Sequence, residues 1–247
     1  VETSNPVFSD TIFNDWAREA TRTNTMTVRG TASKCFLALA ILTAAAAWVW
    51  GLGEKGGLQA VQMWTIGGAI VGLVLALLTA FVTKLAPYTT PVYAAAEGAF
   101  LGGISFWFNT MYPGIAFNAM ALTFAVLFVM LALYTSRIIP VTEKLRMGIV
   151  AATGAVFLVY MLSFVLSFFG ISMPLVHDAS PWGIGFSVVV VGIAAFNLLL
   201  DFDFIERGSQ AGAPKAMEWY GAFGLLVTLV WLYISILRLL AQLQSRD

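Results

Sequence analysis

The chain is poor in charge: of its 247 residues only 11% are Asp, Glu, Lys or Arg, against about 25% in an ordinary soluble domain. It has one cysteine, Cys35, so no intramolecular disulfide can form and cysteine usage says nothing about redox compartment. Its one histidine, His177, stands beside Asp178 with no second histidine and with the cysteine far away in sequence, which argues against a zinc site or a Cys-His nucleophile. Neither HExxH nor GxSxG occurs. The chain is therefore not expected to be an enzyme, and no cofactor is implied. A basic excess is missing as well. The formal net charge is zero, which leaves no bulk field to recruit nucleic acid. The opening stretch is polar, so no cleavable signal peptide is expected.

What is present is apolar sequence, 60% of the chain, which marks a membrane protein. Seven runs of about 20 residues, the length needed to span hydrocarbon, lie between charge clusters and Gly/Pro punctuation. They cover 34–52, 59–84, 91–109, 113–136, 146–170, 181–204 and 217–242. The third is the weakest, because it contains Glu97 and several glycines. A retinal protein is excluded, since the seventh run has no lysine for a Schiff base. The chain thus divides into an N-terminal arm, residues 1–33, and a seven-helix membrane domain, residues 34–247.

The positive-inside rule orients these runs. Arg18, Arg22, Arg29, Lys34, Lys84, Arg137, Lys144, Arg146, Arg207 and Lys215 fall on one side, leaving Lys55, Arg238 and Arg246 for the other. A cytoplasmic N-terminus and an external C-terminus follow. In the arm, Phe8, Ile12, Trp16 and Ala20 recur every four residues among charges, the pattern of an amphipathic helix. It fits either an interfacial helix on the inner leaflet or a short cap over the loops. Gly68 with Gly72, and Gly98 with Gly102, permit close helix contact. No internal repeat supports an inverted-repeat transporter.

Carboxylates in a spanning segment are costly, so the stretch NLLLDFDFIERG, residues 197–208, calls for an explanation. Glu97, Asp201, Asp203, Glu206 and Glu218 all approach the cytoplasmic end under the topology above. At about 100° per residue Asp201 and Asp203 are about 200° apart, whereas Asp203 and Arg207 share a face and can pair. Asp201 stacks with Asn197 and needs a partner from another helix. Glu206 reads as a solvated or interfacial residue, and Glu218 is favoured by the dipole at the start of its own helix. Arg238 is expected to snorkel to the interface. Asn109 and Asn118 are expected to satisfy backbone groups beside the YPG turn.

The segment LDFDFIERG followed by EWYGAFGLLVTLVWLYISILRLL resembles the last two helices of the Bax inhibitor family, the transmembrane Bax inhibitor motif proteins, in its bacterial branch. SNPVF, MTVRGTASK, YAAAEGAFLGGIS, YPGIAFNA and MLALY extend the resemblance over nearly the whole chain. It implies an all-α, seven-helix fold of the bacterial inner membrane with the last helix central. It also implies a passive, pH-sensitive calcium leak in which two aspartates from the final two helices share a proton. Asp201 matches the first of these. The second is absent, because the corresponding region reads LVWLYIS, and Glu218 or Glu97 is left to substitute.

On this reading Asp201, Glu97 and Glu218 form the pH sensor and the transient calcium ligands, with Asp203 as a minor member. Like charges and desolvation oppose ionisation of grouped carboxyls, so a shared proton would hold the helices together. Its loss would separate them and draw in a divalent cation, for which carboxylates and carbonyls are suitable ligands, or a base such as Lys84 or Arg146. Calcium as permeant ion, membrane lipids and other membrane proteins are the expected partners. The alternative is an interaction protein that regulates membrane proteases or stress responses.

Overall fold

The computed structural model describes residues 24–170, 173 and 180–245. The amphipathic pattern of the arm, together with His177, Asp178 and Arg246, lies outside the described residues. Helix α1, Val28–Phe81, begins where Thr27 leaves helical geometry at φ −129° and ψ 147°. The Thr27 hydroxyl caps it by accepting from the Gly30 amide at 2.9 Å. It breaks at Gly57, where φ is 68° and ψ −163°, a conformation that glycine adopts without steric penalty. In an unbroken helix Trp48 and Trp64 would stand about 24 Å apart at about 1.5 Å per residue. Their rings meet edge to face with centroids 4.7 Å apart, so the two limbs of α1 fold back on each other as a hairpin.

A short 3-10 turn, Thr83–Leu85, leads into α2, Ala86–Met111, with a proline in its first turn. Next come α3, Ile115–Thr135, and α4, Glu143–Phe168. Gly114, at φ 87°, makes the sharp approach to α3, and its amide donates to Asn109 Oδ1 at 2.8 Å, the backbone role expected of that asparagine. Helix α5, Pro181–Gln210, is capped by the Ser180 hydroxyl, and α6 runs Met217–Gln244. Among the described residues the fold is all-helical, with no β-strand. Five of these six helices are long and apolar enough to cross a membrane. The exception is α2, whose Glu97 and glycines lower its hydropathy just where the sequence is weakest.

Those glycines explain how α2 is held. A Cβ on Gly98 would meet Ala45, and one on Gly102 would lie 2.5 Å from the Ala46 carbonyl, so both glycines are pressed against the first limb of α1. Gly68, on the second limb, lies in the same way against Ala96 and Phe100 of α2. Helix α2 is thus clasped by both limbs through backbone-to-backbone contact, which does not depend on a hydrophobic driving force between helices. At the centre stands α6, which packs against α1, α2, α3 and α5. In its most apolar stretch 56% of residues are buried, against 17% in α1 and in α4. Helix α4 is peripheral and packs mainly on α5, so the few polar contacts it makes carry unusual weight.

Candidate functional site

Asp201 lies on α5, where α5 meets the central α6 and the first limb of α1. Gly224 of α6 faces it: a Cβ there would be 3.9 Å from Asp201 Oδ1. The Thr228 hydroxyl, one turn further along α6, is the side-chain hydrogen-bonding group set against the carboxyl. From α1, Cys35 is within electrostatic reach. Asp201 Oδ2 is sealed from solvent and has no hydrogen-bond partner. No ion pair to Asp201 forms among the described residues. A buried carboxylate left unpaired is costly, so this geometry suits a neutral acid, and a charged one only when a cation is supplied.

Its neighbour Asp203 is fully accounted for. As helix periodicity predicts, Asp203 pairs with Arg207, whose Nε lies 2.9 Å away. It also binds Arg146 of α4 at 2.6 Å, and Glu143 extends the cluster to Arg146 at 3.1 Å and Arg207 at 3.6 Å. Arg146, expected as a base for the sensor, is therefore committed to Asp203 and ties the peripheral α4 to α5. Glu206 is not simply solvated either. It accepts from the Tyr134 hydroxyl, from Arg137 at 2.5 Å and from Gln210 at 3.1 Å, which fastens the end of α3 to α5. Lys84 sits exposed on the 3-10 turn and forms no ion pair among the described residues.

Glu218 also proves to have a structural partner set. It is 1% exposed, pairs with Lys34, and accepts from both the Thr27 amide and the Thr27 hydroxyl at 3.0 Å. It thus caps the N-terminus of α1 from another helix, where the dipole favours an anion. Gly30 is required for this approach, because a Cβ there would collide with the Glu218 carboxylate. Glu218 also stands in the first turn of its own helix, as the sequence predicts, so the N-termini of both α1 and α6 favour its charge.

Glu97 is elsewhere again. It is buried on α2, bonded to Tyr93 one turn back, and its Oε1 would lie 2.6 Å from a Cβ on Gly72 of the second α1 limb. Asp201, Glu97 and Glu218 therefore occupy three separate surroundings, and the structure does not bring them together as one cluster. The Gly72 contact gives a test. Gly72→Ala should lose about 1–3 kcal/mol of stability by overpacking, and much of that loss should vanish in a Glu97→Ala background. Thermal unfolding of the four proteins in a double-mutant cycle measures this, and strictly additive effects would contradict the contact.

Two groups escaped sequence reasoning, and a third, Arg238, does more than was expected of it. Cys35 read only as part of an apolar run, and Thr228 as a routine helix residue. Arg238 does not simply snorkel: it donates to the Tyr160 hydroxyl of α4 at 3.2 Å, stands over that ring at 5.6 Å, and buries Nη2 without a partner. A further cleft of about 340 Å³, among the first limb of α1, α2, α3 and α6, is apolar apart from groups such as Thr43, Thr123 and the Ser105–Tyr233 hydroxyl pair. It contains no carboxyl.

Comparison with curated proteins and with solved structures gives no significant match. A family profile described as Bax inhibitor 1 like matches residues 5–245, which takes in every helix described above. The chain belongs to the Bax inhibitor 1 like family.

Proposed function

We propose that this protein is a passive, pH-sensitive calcium or cation leak of the bacterial inner membrane, gated at Asp201. One observation carries the reading: Asp201 Oδ2 is buried and without a partner at the junction of α1, α5 and α6. Every other acid near the cytoplasmic ends of α5 and α6 has a base or donor of its own. Protonated, Asp201 sits neutrally against Thr228 and the contact between α5 and the central helix stays closed. Ionised, it becomes an uncompensated anion that favours either separation of the helices or entry of a cation. The gate in this form uses one carboxyl in place of a pair of acids.

The same reading takes the two limbs of α1 as separate crossings and α2 as a third, which makes seven. The basic bias places the N-terminal arm and the Arg146–Asp203–Arg207 cluster on the cytoplasmic side. Reporter fusions test this: a cytoplasmic signal from both Ser33 and the C-terminus would require an even number of crossings.

Purified protein in calcium-loaded liposomes tests the function. Flux should be low near about pH 5 and rise toward about pH 8 as carboxyl protons are lost. Absence of flux at every pH would favour the interaction-protein reading, with membrane proteases or stress regulators as partners. Saturable, proton-dependent solute uptake would point instead to a transporter.

A further inference from the structure

We propose that α4 is a releasable helix, which parts from α5 and α6 as a unit and is held by three polar ties that can open without stranding the groups they leave behind. The ties stand on one face of α4 at residues 146, 153 and 160, each step being about two helical turns. Arg146 binds Asp203 of α5 at 2.6 Å, Thr153 accepts from Asn197 of α5 at 2.8 Å, and Tyr160 accepts from Arg238 of α6 at 3.2 Å. The buried residues of α4, Ile149, Val156 and Ser163, repeat at the same interval along the same seam. Elsewhere the helix presents large apolar side chains outward, among them Met147, Val150, Phe157, Leu158 and Phe164. Lipid tails suit these side chains as well as protein does, so the hydrophobic effect does not draw α4 into the bundle, and packing and the polar ties have to hold it.

What marks the ties as releasable is the second partner that their members keep. Without α4, Asp203 retains Arg207 at 2.9 Å, and Arg146 retains Glu143 at 3.1 Å. The Asn197 side chain also donates to the Ile193 carbonyl of its own helix at 2.8 Å. At the third tie Arg238 Nη2 is already buried without a partner, so parting from Tyr160 frees the guanidinium to reach water or a lipid headgroup. The main penalty for breaking an interhelical hydrogen bond in a membrane is the polar group left unsatisfied, and here that penalty is small. Helix α2, by contrast, is clasped by both limbs of α1 at backbone contact. Asn197 lies one turn from Asp201 on α5, so α4 stands beside the approach to that carboxyl. That its release admits a cation there rests on the gate reading, whereas release itself does not.

The test is a distance measured by pulsed dipolar electron resonance on the full-length protein in lipid nanodiscs. Cys35 is the chain's single cysteine, so a Cys35→Ala background accepts labels only where they are placed. Leu158→Cys on α4 with Phe128→Cys on α3, both exposed, reports α4, and Ile70→Cys on the second limb of α1 with Phe128→Cys is the reference pair. The α4 pair should show a second, longer distance. Its population relative to the closed one should rise about tenfold in Thr153→Val/Tyr160→Phe, which removes two interhelical hydrogen bonds. The reference pair should keep one distance throughout. A seam that is merely structural gives a lower melting temperature in the double variant with the α4 distance unchanged, and that result would overturn the proposal, as would an equal shift in the reference pair. Release in a protein without flux would count against the gate reading alone, and flux without release against this proposal alone.

Discussion

Asp201→Asn is expected to hold cation flux at its low, closed level across the whole interval from about pH 5 to about pH 8, with little loss of folding. Asparagine keeps the size of the protonated aspartate and can still hydrogen-bond Thr228, while it removes the possibility of charge. The cost of an unpaired ion in this junction is several kcal/mol, so on the proposed reading the wild-type protein exchanges that cost against separation of α5 from α6. The variant never meets the cost and has no reason to open. A purely structural Asp201 makes the opposite prediction. An amide is then neutral or stabilising in a low-dielectric position, and the flux keeps its wild-type dependence on pH. Flux and thermal stability measured on the same preparation separate the two outcomes, and an unchanged pH profile in well-folded Asp201→Asn protein would sink the gate assignment.

The neighbouring aspartate serves as an internal control. Asp203→Asn removes the anion that Arg146 and Arg207 share. These guanidinium groups are 33% and 50% exposed, so water can solvate them once released. The expected result is a looser junction between α4 and α5 with the pH dependence of flux retained. Loss of pH dependence in Asp203→Asn, with its persistence in Asp201→Asn, would mean that the sensing carboxyl is the paired one.

The difference between these aspartates was legible in the sequence because it depends only on helix periodicity. Arg207 is four residues from Asp203, and no base stands at that spacing from Asp201. Apolar run length gave the helices for the same reason, since spanning hydrocarbon is a property of contiguous residues. Where the reading fell short, the deciding contact joins residues distant in sequence. Glu218 meets Thr27 and Lys34 across 191 and 184 positions, and one-dimensional topology shows only that their helix ends share a membrane side. Glu97 was grouped with Asp201 on the same argument, because depth in the membrane is readable while the azimuth around the bundle is not. Gly72 held the missing clue: a buried carboxyl needs space beside it, and a Gly68/Gly72 pair provides space on the adjoining helix. Cys35 carried no signal of its own, and only the packing of α1 against α5 and α6 shows that it is buried in the core.

Lys34→Met should be the most destabilising change at this end of the bundle, at about 3–5 kcal/mol, because it leaves a buried carboxylate without its counter-charge. The asymmetry of the pair drives this expectation. Glu218 is 1% exposed at its side chain, whereas Lys34 is 20% exposed and can turn its ammonium toward water. Glu218→Gln removes the charge that demands compensation, and its remaining oxygen can still accept from the Thr27 amide and hydroxyl. The loss there should be nearer about 1 kcal/mol, the net worth of a hydrogen bond. What the pair secures is larger than one contact. The chain before α1 is joined to the loop between α5 and α6 by the Met26 amide on the Ala213 carbonyl at 2.7 Å and by the Lys215 amide on the Asn24 carbonyl at 3.0 Å. Glu218 locks that join to the helix end. If it frays, α1 loses its fixed position against α5 and α6, and the surroundings of Asp201 change with it. Lys34→Met should therefore also raise flux under conditions where wild type is closed, while Glu218→Gln leaves the closed state intact. Melting curves and closed-state flux for the two variants decide the matter: equal destabilisation by both substitutions would show that the carboxylate is not dependent on Lys34, and the latch would have to be assigned to the backbone pairing alone.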